Sequence, residues 1–214
     1  MLLHDLYSPI ANLQNNVSLT DWGGLSQQEF TQEAGWLGHE LTHIRALLDN
    51  TLGWAITQMG GWKPVPRLVD LHQIVAQQVA AQQVVATAKH IALTNQIPPT
   101  ASLMAGENHL TVIVRNLLQN ALKFTPSGGQ VIISYTEEAG QHRLRVRDTC
   151  VGTASERLST LFTLNQPSAR FTANERGTGL GLVLVHELVQ TNGGQIEAES
   201  EPGVGTTFTL TFGR

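Results

Sequence analysis

Cysteine is almost missing from this 214-residue sequence: Cys150 is the only one. A single thiol excludes an intrachain disulfide and any zinc site assembled from several cysteines, and it suits a reducing compartment, so a cytoplasmic location is expected. Basic residues are also few, with 13 Lys and Arg against 17 Asp and Glu and a formal net charge of −4. That balance provides no positive field to neutralise a phosphate backbone, and nucleic acid is not an expected partner. No apolar run approaches the roughly 20 residues that cross a bilayer, and the first residues lack a basic flank followed by an apolar stretch. These residues should therefore make no membrane contact. Because Met1-Leu-Leu-His4 already stands in helical register, further sequence upstream is expected.

What the chain does have is 41% hydrophobic residues, arranged with clear periodicity. Leu3, Leu6, Ile10, Leu13 and Val17 recur at steps of three and four and form one stripe of a helix. Asp21, Gly23 and Gly24 interrupt it. Ser26 and Glu29 then make an S-x-x-E capping pattern ahead of a second helix starting near Gln27. Its apolar positions are Phe30, Ala34, Leu37, Leu41, Ile44, Leu48, Leu52, Ala55 and Met59. Two seamed helices make a hairpin with apolar surface to spare, and a second copy completing a four-helix bundle would cover it. A homodimer is thus expected.

Gly60-Gly-Trp-Lys-Pro64-Val-Pro66 cannot continue a helix. We assign residues 1–61 to the hairpin, 62–69 to a linker and 70–214 to a second domain. There Asp70 should cap a helix running to about Lys89, a short strand falls at 91–94, and 107–124 reads as another helix. Segments 130–135 and 142–148 alternate like a hairpin turning at Ala139-Gly140; 195–200 and 206–212 make a second, with a helix over 180–191 between the pairs. The predicted class is α+β, with helices on one face of a mixed or mostly antiparallel sheet.

Two features of this domain suggest an anion site. Gly177-Thr178-Gly179-Leu180-Gly181-Leu182 opens into the 180–191 helix, where backbone N–H groups and the helix end favour phosphate. Neither a P-loop nor a βαβ dinucleotide unit accompanies it. On the earlier helix Asn116 and Asn120 share a face with Lys123 close by. Amide oxygens suit Mg²⁺, which keeps water and phosphate in its shell.

In order along the chain, Asn116-Leu-Leu-Gln-Asn120-Ala-Leu-Lys123-Phe-Thr-Pro resembles the N box of sensor histidine kinases. Asp148-Thr-Cys-Val-Gly152 resembles their G1 box, Leu161-Phe162 the F box, Arg176-Gly-Thr-Gly-Leu-Gly-Leu the G2 box and Gly203-Val-Gly-Thr206-Thr-Phe208 the G3 segment. The resemblance covers roughly residues 66 to 214 and implies the Bergerat-type α/β sandwich shared with gyrase, Hsp90 and MutL ATPases. It further implies that ATP and Mg²⁺ bind there, with Asn120 on the metal, Asp148 on the adenine amino group, and Asn116 and Lys123 beside the phosphates. Gly152, Arg176, Gly177, Thr178, Gly179, Leu180, Gly181, Leu182 and Thr206 line the rest of the pocket, and residues 165–176, with Arg170, form the lid. Cys150 departs from the family, which usually has glycine there. A side chain at that position either restricts the adenine loop, costing about 1–2 kcal/mol if φ must be positive, or fills an apolar gap.

Two histidine motifs compete for the chemistry. His39-Glu40-Leu41-Thr42-His43 matches the zinc-hydrolase pattern H-E-x-x-H, but its place within an apolar-striped helix and the lack of an evident third ligand favour a bundle position. His4-Asp5-Leu-Tyr-Ser8-Pro9 resembles the H box, on the first helix, where Asp5 would orient the imidazole or take its proton. A neutral imidazole, with pKa about 6.5, is nucleophilic at neutral pH. The resemblance implies autophosphorylation of His4 and transfer to an aspartate of a response-regulator receiver domain, with an upstream sensor region outside this chain. An inactive nucleotide-binding interaction module is the alternative.

Overall fold

The computed structural model describes residues 10–11, 13–15, 17–18, 24–58, 63–163 and 180–213. His4 and Asp5, the glycine-loop residues Arg176, Gly177, Thr178 and Gly179, and Arg170 lie outside them. Contacts divide the chain into two compact units, Met1–Ala55 and Ile56–Arg214.

In the first unit the described residues between 10 and 18 are helical (α1), and α2 spans Gln27–Gln58. Its start is the expected reciprocal cap: Ser26 Oγ accepts from the Glu29 N–H at 3.4 Å, while the Glu29 carboxylate accepts from the Ser26 N–H at 2.9 Å and from its hydroxyl at 2.7 Å. These bonds from Ser26 hold the Glu29 carboxyl below its ordinary pKa. Along α2, Phe30, Leu41, Leu48 and Leu52 are each at least half exposed, while Ile44 is buried.

The second unit is an α+β sandwich. Residues 67–69, within the stretch read as linker, belong to a strand, β1 (Arg67–Asp70), which pairs antiparallel with β3 (Ser102–Ala105). Asp70 ends β1 and caps α3 (Leu71–Ala88), its Oδ1 accepting from the Gln73 N–H at 2.8 Å. The main sheet joins β2 (Ala92–Gln96), β4 (Gln130–Glu138), β5 (Gln141–Asp148), β6 (Gln195–Glu201) and β7 (Gly205–Phe212) in the order β2-β4-β5-β7-β6. Only β2–β4 is parallel, its crossover carrying α4 (Glu107–Phe124). Both predicted hairpins are present. At the first turn Ala139 and Gly140 have φ of 50° and 77°, the left-handed pair that a two-residue hairpin requires.

The sheet's inner face is written in its alternation. Register aligns Tyr135, Leu144, Leu210 and Ile196 in one cross-strand row and Ile133, Val146, Phe208 and Ala198 in the next. Leu144, Leu210, Ile133 and Val146 are buried in one core with Leu110, Ile113, Leu117 and Leu118 of α4 and with Leu184 and Leu188 of α6 (Leu180–Thr191). Full burial of each such side chain contributes about 1.5–3 kcal/mol. Asn192, just past α6, fastens the two helices together. Its Oδ1 accepts from the Gly106 N–H at 2.8 Å, and its Nδ2 donates to the Leu188 carbonyl at 2.6 Å and to buried His109 Nδ1 at 2.9 Å.

Candidate functional site

One row further along the same inner face, the register aligns Val131, Asp148, Thr206 and Ser200. The face changes there from apolar to polar. Asp148 and Thr206 are both buried, which requires hydrogen bonds to replace water. Asp148 Oδ1 accepts from the backbone N–H of Cys150 at 3.0 Å and of Thr206 at 3.2 Å. Burial pushes the Asp148 carboxyl above its ordinary pKa, and the bonds from Cys150 and Thr206 oppose that rise. A carboxyl held by two amides on one oxygen keeps acceptor capacity on the other.

The loop beyond Asp148 turns at Gly152, whose φ is 72°, and a Cβ there would run into the Glu201 carbonyl oxygen. Position 152 is therefore a glycine for steric and conformational reasons. Cys150 needs no such freedom, because His90 and Ala139 are the only non-glycine residues with positive φ among those described. The strain envisaged for a side chain at 150 does not arise. Instead the thiol is buried, 3.2 Å from Thr206 Oγ1 and 3.3 Å from the Gly152 amide that donates to it. Burial and the neighbouring Asp148 push its pKa up, so it remains a thiol at neutral pH.

Helix α4 packs on β4, β5 and α6 and carries the amide pair. Asn116 is buried and donates through Nδ2 to the Val112 carbonyl at 2.9 Å, which leaves its amide oxygen as an acceptor. Asn120 and Lys123, one turn and nearly two turns on, are partly exposed, and the Lys123 ammonium lies 5.7 Å from the Phe124 ring centroid. The donor set fits a hard cation, since a partly exposed amide oxygen is neutral and leaves room for water and phosphate. Leu180, Gly181 and Leu182 form the first turn of α6, with Leu180 buried.

Ser200 and His186, the residue on which Phe162 stacks, were not singled out from the sequence. Ser200 Oγ lies 2.8 Å from Thr206 Oγ1, and the signal that could have found it is the Ile196-x-Ala198-x-Ser200 alternation, which sets it on the inner face. Phe162, four residues beyond the short helix α5 (Ser155–Leu158), stacks on His186 of α6 at 5.4 Å between centroids and meets Phe208 edge-on at 6.4 Å. The His39 and His43 backbone is helical within α2; their side chains lie outside the described ones. No group of three or more His, Cys, Asp or Glu side chains able to hold a metal occurs among the described residues.

Residues 105–214 match the family described as histidine kinase-, DNA gyrase B-, and HSP90-like ATPase, a span that holds α4, the polar row and α6. The chain is thus a member of that ATPase family, of the sensor histidine kinase type. Sensor-like histidine kinase SenX3 of Mycolicibacterium smegmatis is 32% identical over 163 residues, 73% of this chain and 42% of that protein. The solved Acinetobacter baumannii histidine kinase AdeS superposes with a TM-score of 0.77 over 98% of this chain and 97% of that one, at 18% identity, and so speaks for the fold alone. Full-length ShkA, solved in complex with AMPPNP, superposes with a TM-score of 0.67 at 25% identity, covering 95% of this chain and 41% of ShkA. The chain therefore spans less than half the length of SenX3 and of ShkA. No described helix of this kinase-type chain is long and apolar enough to cross a membrane.

Proposed function

We propose that this chain is the catalytic core of a sensor histidine kinase, which binds ATP with Mg²⁺, phosphorylates His4 and passes the phosphoryl group to an aspartate of a response-regulator receiver domain. The observation that carries the reading is the buried polar row, Asp148-Thr206-Ser200, which follows the rows of Leu144-Leu210 and Val146-Phe208 on a sheet face that also packs against the Asn-bearing helix α4. Asp148 Oδ1 is held by two amides, and the carboxylate accepts the exocyclic amino hydrogen of adenine. Asn120 would hold Mg²⁺ through its amide oxygen, with Asn116 and Lys123 beside the phosphates. A bound Mg²⁺ supplies positive charge to the transferring phosphoryl group, the main demand of this chemistry. Gly177, Thr178, Gly179, Leu180, Gly181 and Leu182 would line the pocket beside the phosphates, and residues 165–176, with Arg170 and Arg176 as contacts for the triphosphate, would form the lid. ShkA's complex with AMPPNP, an imido analogue of ATP, supports the nucleotide assignment.

A neutral His4 imidazole would attack the γ-phosphorus with ADP as the leaving group, and Asp5 would orient the imidazole or take its proton. The half-exposed apolar positions Phe30, Leu41, Leu48 and Leu52 support a homodimeric four-helix bundle, since a lone helix would leave them in water. We retain the division into a hairpin (1–61), a connection (62–69) and an ATP-binding domain (70–214) as the working layout. We further propose a cytoplasmic location, where ATP is supplied, on that side of any membrane the full-length form meets. Incubation with γ-labelled ATP and Mg²⁺ tests the assignment: acid-labile label should appear on the chain, vanish in His4→Gln and persist in His39→Gln. Label that persists in His4→Gln overturns the choice of His4, and absence of label from the unmodified chain overturns the kinase reading.

A further inference from the structure

The hydrogen atoms around the buried row can be assigned by elimination. Ser200 has one hydroxyl hydrogen, and it goes to the Gly205 carbonyl oxygen at 2.9 Å. In the 2.8 Å contact between Ser200 Oγ and Thr206 Oγ1, Thr206 must therefore be the donor. With its hydrogen spent, Thr206 Oγ1 can only accept in its 3.2 Å contact with the Cys150 thiol, which also interacts with the Asp148 carboxylate itself. The sulfur accepts in turn from the Gly152 N–H, and Ser200 Oγ takes a second hydrogen bond from the Thr153 N–H at 2.8 Å. A one-way chain thus runs from Gly152 through Cys150, Thr206 and Ser200 to Gly205, crossing from the loop after β5 to β7 and β6.

The two residues at the centre of this chain are the same two whose backbone amides hold Asp148 Oδ1. Cys150 and Thr206 are 56 positions apart in sequence. Their side-chain bond ties the two amides into one frame. A glycine at 150 would keep its amide but lose the tie, and the loop end of the frame would then be set by backbone alone.

We propose that Cys150 is a positioning residue: by bonding to Thr206 it fixes the paired amides that aim the Asp148 carboxylate, and so sharpens selectivity for a nucleobase bearing an exocyclic amino group. This deepens the nucleotide reading above and rests on it. The side chain that departs from the family's usual glycine acts here as a brace. Because it acts through Asp148, its removal should weaken recognition of the amino group specifically, leaving the phosphate contacts intact.

The test is calorimetric titration of the full chain, in MgCl₂, with ATP and with purine riboside triphosphate, which lacks the 6-amino group. Cys150→Gly should lower the ratio of the two affinities by about five- to tenfold, the equivalent of one impaired hydrogen bond. The loss should fall on ATP. Cys150→Ser should restore most of the ratio, since a hydroxyl can donate to Thr206 Oγ1, and Thr206→Val, which keeps its amide and removes the acceptor, should reproduce the loss. A ratio within twofold of the unmodified chain in both Cys150→Gly and Thr206→Val overturns the proposal, as does an equal loss for both nucleotides. Should Cys150→Gly fail to fold, Thr206→Val decides alone. If the unmodified chain binds neither nucleotide, the nucleotide reading itself falls and takes the brace with it.

Discussion

Replacing Asp148 by asparagine separates binding from stability, because the same burial has opposite consequences for the two. The asparagine side chain has the same shape, and its Oδ1 can still accept from the Cys150 and Thr206 amides at 3.0 and 3.2 Å. The second position changes from an acceptor to an N–H₂ donor, which opposes the amino group of adenine. Loss of a hydrogen bond to a charged partner costs about 1.5–3 kcal/mol, so ATP affinity should fall roughly 10- to 150-fold. Stability should move the other way. Burial raises the Asp148 pKa in the folded chain, so over the window from about pH 4, its unfolded value, up to the raised folded value, the native state binds more protons than the unfolded one. The stabilising contribution is complete below that window and is lost as pH rises through the folded pKa. At neutral pH, well above the unfolded value, burying this carboxyl is therefore a burden that asparagine removes. Asp148→Asn should have a higher Tm than the unmodified chain at pH 7, with the gap shrinking toward pH 4. Calorimetric titration with Mg-ATP and a thermal melt at several pH values read both effects. Binding within twofold of the unmodified chain, or a Tm lowered at pH 7, would refute the reasoning.

Two other perturbations follow from the buried geometry. His109 Nδ1 accepts from Asn192, so the ring is neutral, and burial lowers its pKa; its contribution to stability is present above the unfolded value, about 6.5, and is lost as pH falls from there through the lowered folded value. Replacing it with Gln should flatten that part of a plot of urea midpoint against pH, and an unchanged slope would show that another group is responsible. Gly152→Ala should cost about 1–2 kcal/mol for its left-handed φ alone, and more because the methyl meets the Glu201 carbonyl. It should lower both the urea midpoint and ATP affinity, and a midpoint equal to that of the unmodified chain would mean that the loop relaxes freely.

Much of the second unit was legible from local pattern. Period-2 alternation located all four strands of the two hairpins, the amphipathic stripe located α4, and Asp70 marked a helix start with a side chain that caps it, as Ser26 did in the first unit. The β1–β3 ribbon was not read. Ser102-Leu-Met-Ala is four residues long without a β-branched side chain, and Arg67-Leu-Val-Asp follows a proline. Such segments become strands by pairing with each other across 32 or more positions, which local propensity does not encode.

For the site, sequence alone determined the kinds of group present: an amide pair spaced by one helical turn, an acidic residue before a glycine turn, and glycines at the mouth of a helix. Order along the chain was enough to recognise them together. Which of these share one row of the sheet was a matter of strand register, since only the β5–β7–β6 pairing sets Asp148 beside Thr206 and Ser200. The part played by Cys150 was decided the same way. From sequence a side chain at 150 read as strain or filler, because conformational cost is local; its bond to Thr206, 56 positions on, exists only once the strands have paired.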